Sequence, residues 1–324
     1  MTITEKEIKI NNIPAIILGN PSRNVYLYIH GQGGNKEEAY NIAEFVCGHG
    51  YQILSIDLPE HGNRKGEVNS FDPWHIVPEL TEVMKFAKEH WERISLFANS
   101  IGAWFSMLSF GNERLRNCLF VSPVLDMKRL ILKMMSWANI SEEQLKKELI
   151  ISTTFGQTLS WEYWEYASSH PITKWEAPTK ILYGENDNLI DRDEVEYFSQ
   201  KFHCGLEVMG NGEHWFHTGK QIEVMQRWLN KNVSGMKTLN EYIKPIIYDG
   251  LDVQGLENLN AYLYGDEMAA LQNYPPVGLP YCAGYACGYH LVKYYLQKTG
   301  KSIVEATLLS ANEILSAVED FWNE

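Results

Sequence analysis

From about Glu7 to Leu229 short apolar runs alternate with segments of helical period, and this alternation limits the fold more than any other feature of the chain. Ile8 to Leu18 reads as an opening hairpin or strand pair. Val25 to Ile29, Tyr51 to Ile56, Ile94 to Phe97, Cys118 to Val121, Lys180 to Tyr183 and Leu206 to Met209 read as buried strands. Between and after them, Lys36 to Cys47, His75 to Trp91, Ile101 to Phe110, Arg192 to Phe202 and Lys220 to Asn230 carry apolar residues at helical spacing. Strands alternating with helices predict an α/β fold whose central sheet is mostly parallel and covered on both faces. A long interruption, about 126–177, holds helical stretches at Met127 to Trp137 and Ser141 to Leu149 and the aromatic run WEYWEY. An insertion of this kind is expected to form a cap. The alternation stops at Asn232-Val233-Ser234-Gly235, which places a domain boundary near 234. Residues 235–324 read as a small helical appendage joined by a Pro/Gly/Tyr-rich loop at Tyr274 to Gly288.

Four loops at strand ends carry chemistry. Ala98-Asn99-Ser100-Ile101-Gly102 lies between a strand and a helix. A nucleophile elbow needs small residues two before and two after the serine, because the strand and helix backbones approach closely there. Gly102 meets that need, and Ala98 stands where the usual pattern has glycine. His30-Gly31-Gln32-Gly33-Gly34 also follows a strand. Glycines there can present backbone N–H groups, and those of Gln32 and Ile101 are the expected oxyanion donors. The loop lacks the spacing and Lys-Ser/Thr of a phosphate-binding loop. Asp187, in Gly184-Glu185-Asn186-Asp187, and His214, in Gly210-Asn211-Gly212-Glu213-His214, each follow a later strand. Nucleophile, acid and base in that chain order suit a triad on this architecture. Glu185, Asp191 and Asp193 are rival acids, read alternatively as solvated helix-cap carboxylates. His217 is the rival base.

Together HGQGG, DLPEHG at Asp57 to Gly62, ANSIG, GENDNL and GNGEHWFH resemble the α/β-hydrolase superfamily over about 7–231, and within it the lysophospholipase/serine-aminopeptidase-like branch. The resemblance implies that fold and a hydrolytic triad of Ser100, Asp187 and His214. His61, where the family has a loop histidine near the site, is taken as structural. The cap aromatics Trp137, Phe155, Trp161, Tyr163, Trp164 and Tyr166 are open to two readings. They pack the cap onto the body, or some of them, Trp161 and Trp164 among these, line an apolar acyl pocket.

The appendage resembles the C-terminal part of a family of predicted zinc-dependent proteases, through TLNEYI, QGLENLNAYLYGD, GLPYCAGYACGYHLVKYYL and TLLSANEIL. The resemblance aligns Asn240-Glu241-Tyr242-Ile243-Lys244 with an HExxH helix and Gln254 with a third ligand. An amide and an ammonium cannot replace imidazoles, so no metal and no cofactor are expected. His290 is read as packed.

A net charge of −13 argues against nucleic acid or anionic membrane as partners, since both demand clustered Lys and Arg. No apolar run approaches the roughly 20 residues of a membrane span, and the N-terminus lacks the basic and apolar regions of a signal peptide. Five scattered cysteines fit a reducing compartment. A cytoplasmic hydrolase acting on a small-molecule carboxylic ester is the expectation. An amide or peptide hydrolase with the same triad, or a non-catalytic binding protein on this fold, are the rivals.

Overall fold

In the computed structural model, residues 3–234 and 243–322 are described. They divide into two compact units, Met1–Val233 and Ser234–Glu324.

The first unit is built on an eight-stranded sheet of order β1-β2-β4-β3-β5-β6-β9-β10. β1 (Glu5–Ile10) and β2 (Ile13–Leu18) form an antiparallel hairpin at one edge, and β2 is also antiparallel to β4 (Gln52–Ile56). From β4 onward all pairings are parallel, through β3 (Asn24–Ile29), β5 (Arg93–Asn99), β6 (Cys118–Val121), β9 (Thr179–Gly184) and β10 (Gly205–Met209). Leu27, Leu54, Leu96, Phe120 and Ile181 lie in a buried core, as expected of strands covered on both faces.

Helices leave these strands with local stop and start signals. A short 3₁₀ turn, Lys36–Ala39, precedes α1 (Tyr40–Gly48), so the continuous helix expected from Lys36 to Cys47 is broken in its first turn. The reason is Asp57, whose carboxylate accepts the backbone N–H of Lys36 at 2.9 Å and its ammonium at 3.0 Å. α2 (Pro73–His90) starts at Asp72, which accepts the N–H of His75, with proline in the first turn. α3 (Ile101–Phe110) follows Ser100 directly.

Between β6 and β9 the chain forms the cap. α4 (Met127–Ala138), α5 (Glu142–Glu148) and α6 (Trp161–Ser169) are each capped by a side chain, from Asp126, Ser141 and Ser160. Between α5 and α6 lies an antiparallel hairpin of β7 (Ile150–Ser152) and β8 (Thr158–Ser160), turned through Gly156 at φ +85°. No pattern in the sequence reading corresponds to this hairpin, because strands of three residues are too short to show a period. α7 (Arg192–Lys201) and α8 (Gly219–Ser234) complete the first unit.

The second unit is helical: α9 (Lys244–Asp249), α10 (Leu256–Tyr264), α11 (Asp266–Leu271), α12 (Ala283–Thr299), α13 (Ile303–Ala306) and α14 (Ala311–Ala317). It has its own core, in which Ala283, Cys287, Leu291 and Tyr295 form one stripe of α12. The loop expected to run to Gly288 ends at Cys282, since Gly284 and Gly288 lie inside α12. Gly284 serves close packing there, as a Cβ would come within 2.3 Å of the Tyr262 carbonyl oxygen. His290 falls off the buried stripe and is exposed, contrary to the packed position expected.

Candidate active site

β5 ends at Asn99 and α3 begins at Ile101, leaving Ser100 alone in the turn with φ 48° and ψ −122°. That conformation is strained for a residue with a side chain, and it holds the hydroxyl outward. Gly102 makes the turn possible. A Cβ there would lie 2.4 Å from the His30 carbonyl oxygen and 2.7 Å from that of Ile29. Ala98 is fully buried between Ile29 and Phe120, and its methyl is accommodated in the sheet.

The acid and base come from the ends of β9 and β10. Their loops cross at Gly184, where a Cβ would meet the backbone of Gly212 and Glu213 at 2.6 Å. Asp187 accepts the N–H groups of Leu189 and Ile190 on Oδ1, at 2.8 and 2.9 Å, which fixes the carboxylate. Its Oδ2 is 2.7 Å from His214 Nδ1, and His214 Nε2 is 2.9 Å from Ser100 Oγ. The Asp187 side chain is wholly buried. A carboxylate on Nδ1 fixes the tautomer that leaves Nε2 free to accept the serine proton.

The rivals are engaged elsewhere. Glu185 accepts the N–H of Asn211, and His217 stacks on Trp215 with its Nδ1 2.7 Å from the Trp215 carbonyl. Asp191 and Asp193 are not merely solvated caps. Asp191 bonds Lys133 at 2.6 Å and Arg129 at 2.9 Å, and Asp193 takes two bonds from Arg129. These pairs fasten cap helix α4 to α7, a role that sequence spacing does not reveal because the partners are some 60 residues apart.

The glycine loop after β3 is held by two histidines. His61 Nε2 accepts the N–H of Gly33 at 2.8 Å while its Nδ1 donates to the Pro59 carbonyl at 2.7 Å. His30 Nε2 accepts the N–H of Leu58 at 3.0 Å and its Nδ1 donates to the Gly31 carbonyl at 2.7 Å. An imidazole that accepts an N–H must be neutral. Burial pushes His30 down to about 4, in keeping with that state. The DLPEHG stretch thus supplies Asp57 and His61 as fasteners of the loop. Within it, the backbone N–H of Gln32 makes no hydrogen bond among the described residues. That of Ile101, first in α3, has no partner in its helix. A Cβ at Gly31 would come within 3.2 Å of Ser100 Cβ, so the loop runs close against Ser100.

Ser100 and His214 open into a cavity of about 1060 Å³. Met127, Leu130, Ile131 and Met134, one stripe of α4, line it together with Trp137 near the end of that helix and with Phe155 and Tyr163 from the rest of the cap. Trp161 and Trp164, expected as substrate contacts, are not among the residues that line it. Three apart on α6, they share a face and stack on one another at 4.7 Å, with Lys146 over Trp161 and Lys128 over Trp164. Tyr163 lies on another face of the helix. Gln157, which the sequence reading did not single out, joins the β7–β8 turn to the glycine loop through its bond from Gln32 Nε2 at 3.1 Å.

In the second unit, residues 240–242 of the stretch aligned with HExxH lie outside the described residues. Lys244 is buried, donates to the Phe321 carbonyl and lies over the Phe321 ring, while Gln254 is exposed. Among the described residues no group of three His, Cys, Asp or Glu could hold a metal ion. The described residues therefore do not offer the donor set of a zinc centre. No helix among them is long and apolar enough to cross a membrane.

A mostly parallel eight-stranded sheet, a serine in a strand-to-helix elbow and a cap between β6 and β9 define the α/β-hydrolase fold. Solved structures agree. Est1E from Butyrivibrio proteoclasticus superposes with a TM-score of 0.58 at 16% identity, covering 72% of this chain and 98% of that one. A putative hydrolase from Agrobacterium vitis S4 gives 0.59 at 13%, covering 72% and 100%. The mouse alpha/beta hydrolase domain-containing protein 10 gives 0.58 at 11%, covering 72% and 99%. At these identities the likeness is one of fold. Residues 222–316 match the family described as Predicted Zn-dependent protease (DUF2268), a match that begins inside α8, earlier than the resemblance read from Thr238. The "Uncharacterized protein YjfC" of Bacillus subtilis (strain 168) is 40% identical over 76 residues, 24% of this chain. The chain spans 25% of the length of that curated relative.

Proposed function

We propose that the first unit is a serine hydrolase that cleaves carboxylic esters with an apolar acyl part. The observation that carries this reading is the continuous relay Asp187–His214–Ser100, at 2.7 and 2.9 Å, opening into an apolar cavity. Ser100 Oγ attacks the ester carbonyl while His214 Nε2 takes its proton. The tetrahedral oxyanion receives hydrogen bonds from the N–H groups of Ile101 and Gln32. Collapse breaks the bond to the alcohol oxygen, which leaves with the proton from His214, and an acyl-Ser100 ester remains. Water, deprotonated by His214, then attacks that ester and releases the acid. Buried Asp187 stabilises the imidazolium at both stages. The α4 stripe and the ring of Tyr163 would receive the acyl chain.

Labelling by a fluorophosphonate probe and turnover of a chain-length series of esters test the reading. Ser100→Ala should abolish labelling and lower kcat by at least about 10³-fold with the fold unchanged. Retained labelling or turnover in that variant would remove Ser100 from the role. Matched anilides decide between ester and amide as the preferred bond. A folded wild-type protein that turns over neither would be a binding protein on this fold.

A further inference from the structure

On the proposed hydrolase reading, we infer that Glu38 forms a subsite for a cationic ammonium group of the substrate bound at Ser100. Glu38 lines the same cavity as the nucleophile and is half-buried. Its carboxylate rests on the bare Cα of Gly34, where a Cβ would meet both oxygens at 2.9 Å. It receives one hydrogen bond, from the Tyr28 hydroxyl to Oε2 at 3.3 Å. That hydroxyl in turn accepts from Asn99 Nδ2 at 2.9 Å, so the carboxylate is two hydrogen bonds from the residue preceding Ser100.

No cation among the described residues pairs with Glu38. The nearest lysine in sequence, Lys36, is taken by Asp57 at 3.0 Å and Glu37 at 2.6 Å. An ionised carboxylate offers about four acceptor positions, and here one is filled. Burial holds the Glu38 carboxyl above its usual range, and the Tyr28 bond offsets this in part. A partly desolvated carboxylate without a counter-ion is unfavourable, and a ligand cation relieves that cost. The cavity is otherwise divided by element. The cap side offers the α4 methionines and leucine, whereas Glu38 and Asn41 come from the chain that follows the glycine loop. The two sides suit a substrate with an apolar chain at one end and a positive charge at the other.

The rival reading is that Glu38 only steadies Tyr28 and Asn99 behind the elbow. Calorimetric binding to full-length Ser100→Ala protein separates the two without needing turnover. The probes are the hexanoate ester of choline and its uncharged isostere, in which carbon replaces the ammonium nitrogen. The cationic ester should bind at least about tenfold more tightly, equivalent to about 1.4 kcal/mol. Adding Glu38→Gln, which keeps the size of the side chain and its bond from Tyr28, should reduce the ratio to about one, with melting temperature read alongside. Equal affinity for the two esters in Ser100→Ala, binding of neither, or a preference that survives Glu38→Gln would each overturn the subsite. The hydrolase reading is judged separately, by wild-type turnover against Ser100→Ala, so either can fail while the other stands.

Discussion

Ser100 illustrates how much of the candidate site is backbone. A left-handed φ on a residue with a side chain costs about 1–3 kcal/mol, and the surrounding structure must impose it. Gly102 and Gly31 impose it here by letting α3 and the glycine loop close on the serine from two directions. Gly102→Ala would drive a methyl into the carbonyl oxygens of Ile29, the last residue of a central strand, and of buried His30 directly after it, which have no room to yield. We expect a stability loss of about 3 kcal/mol or more in urea denaturation, together with loss of probe labelling. A Gly102→Ala protein as stable as the wild type would show that strand and helix can part there. At this scale the strand-end loops that hold Ser100, Asp187 and His214 were legible, because each follows a strand and carries a glycine. Glu38, Asn99 and Gln157 carried no comparable signal. Their meaning lies in partners 10, 71 and 125 residues away.

Ion pairs join cap helix α4 to α7, and this junction holds a buried acid. Glu194 accepts the N–H of Asp126 at 3.0 Å and lies 3.7 Å from Arg129, which is shared with Asp191 and Asp193. Burial pushes its carboxyl up to about 7 from an ordinary value of 4.5. A raised acid holds its proton more tightly folded than unfolded. Its ionisation therefore costs nothing at pH values below the unfolded pKa, and stability is lost as pH rises through the folded one. Glu194→Gln removes that dependence. The melting temperature of this variant should gain on the wild type between about pH 5 and about pH 8. A difference that stays constant with pH would mean that Arg129 neutralises the buried charge fully. Helix α4 was legible as an element, but its stripe of Met127, Leu130, Ile131 and Met134 suits packing on the body as well as lining a cavity. The tryptophans of α6 are ambiguous for the same reason: aromatic content marks a packed face without saying which space it faces.

For the molecule as a whole, the two units have separate hydrophobic cores. A chain ending after Ser234 should fold and keep probe labelling and ester turnover, measured beside the full chain. An insoluble or inactive truncation would make the second unit part of the hydrolase. Metal analysis of the purified protein should find no stoichiometric zinc, and chelators should leave turnover unchanged. Lys244 already uses its ammonium on the Phe321 carbonyl and ring, and Asn240 supplies only an amide. One zinc per chain would contradict that expectation.

The sequence by itself determined the order of strands and helices and the strand-end positions of Ser100, Asp187 and His214. Those features are written in short-range patterns: apolar runs, glycines at turns, a loop directly after each strand. It also placed the break near residue 234, where the alternation stops. Only the tertiary structure decided which face of each cap helix meets the cavity. It alone linked Glu38 to the residue before Ser100 through Tyr28 and Asn99, and turned Asp191 and Asp193 from cap carboxylates into a fastening for α4. Helical periodicity fixes which residues share a face but not the direction that face points. That direction is set by contacts between segments far apart in the chain, whose pairing no local pattern records.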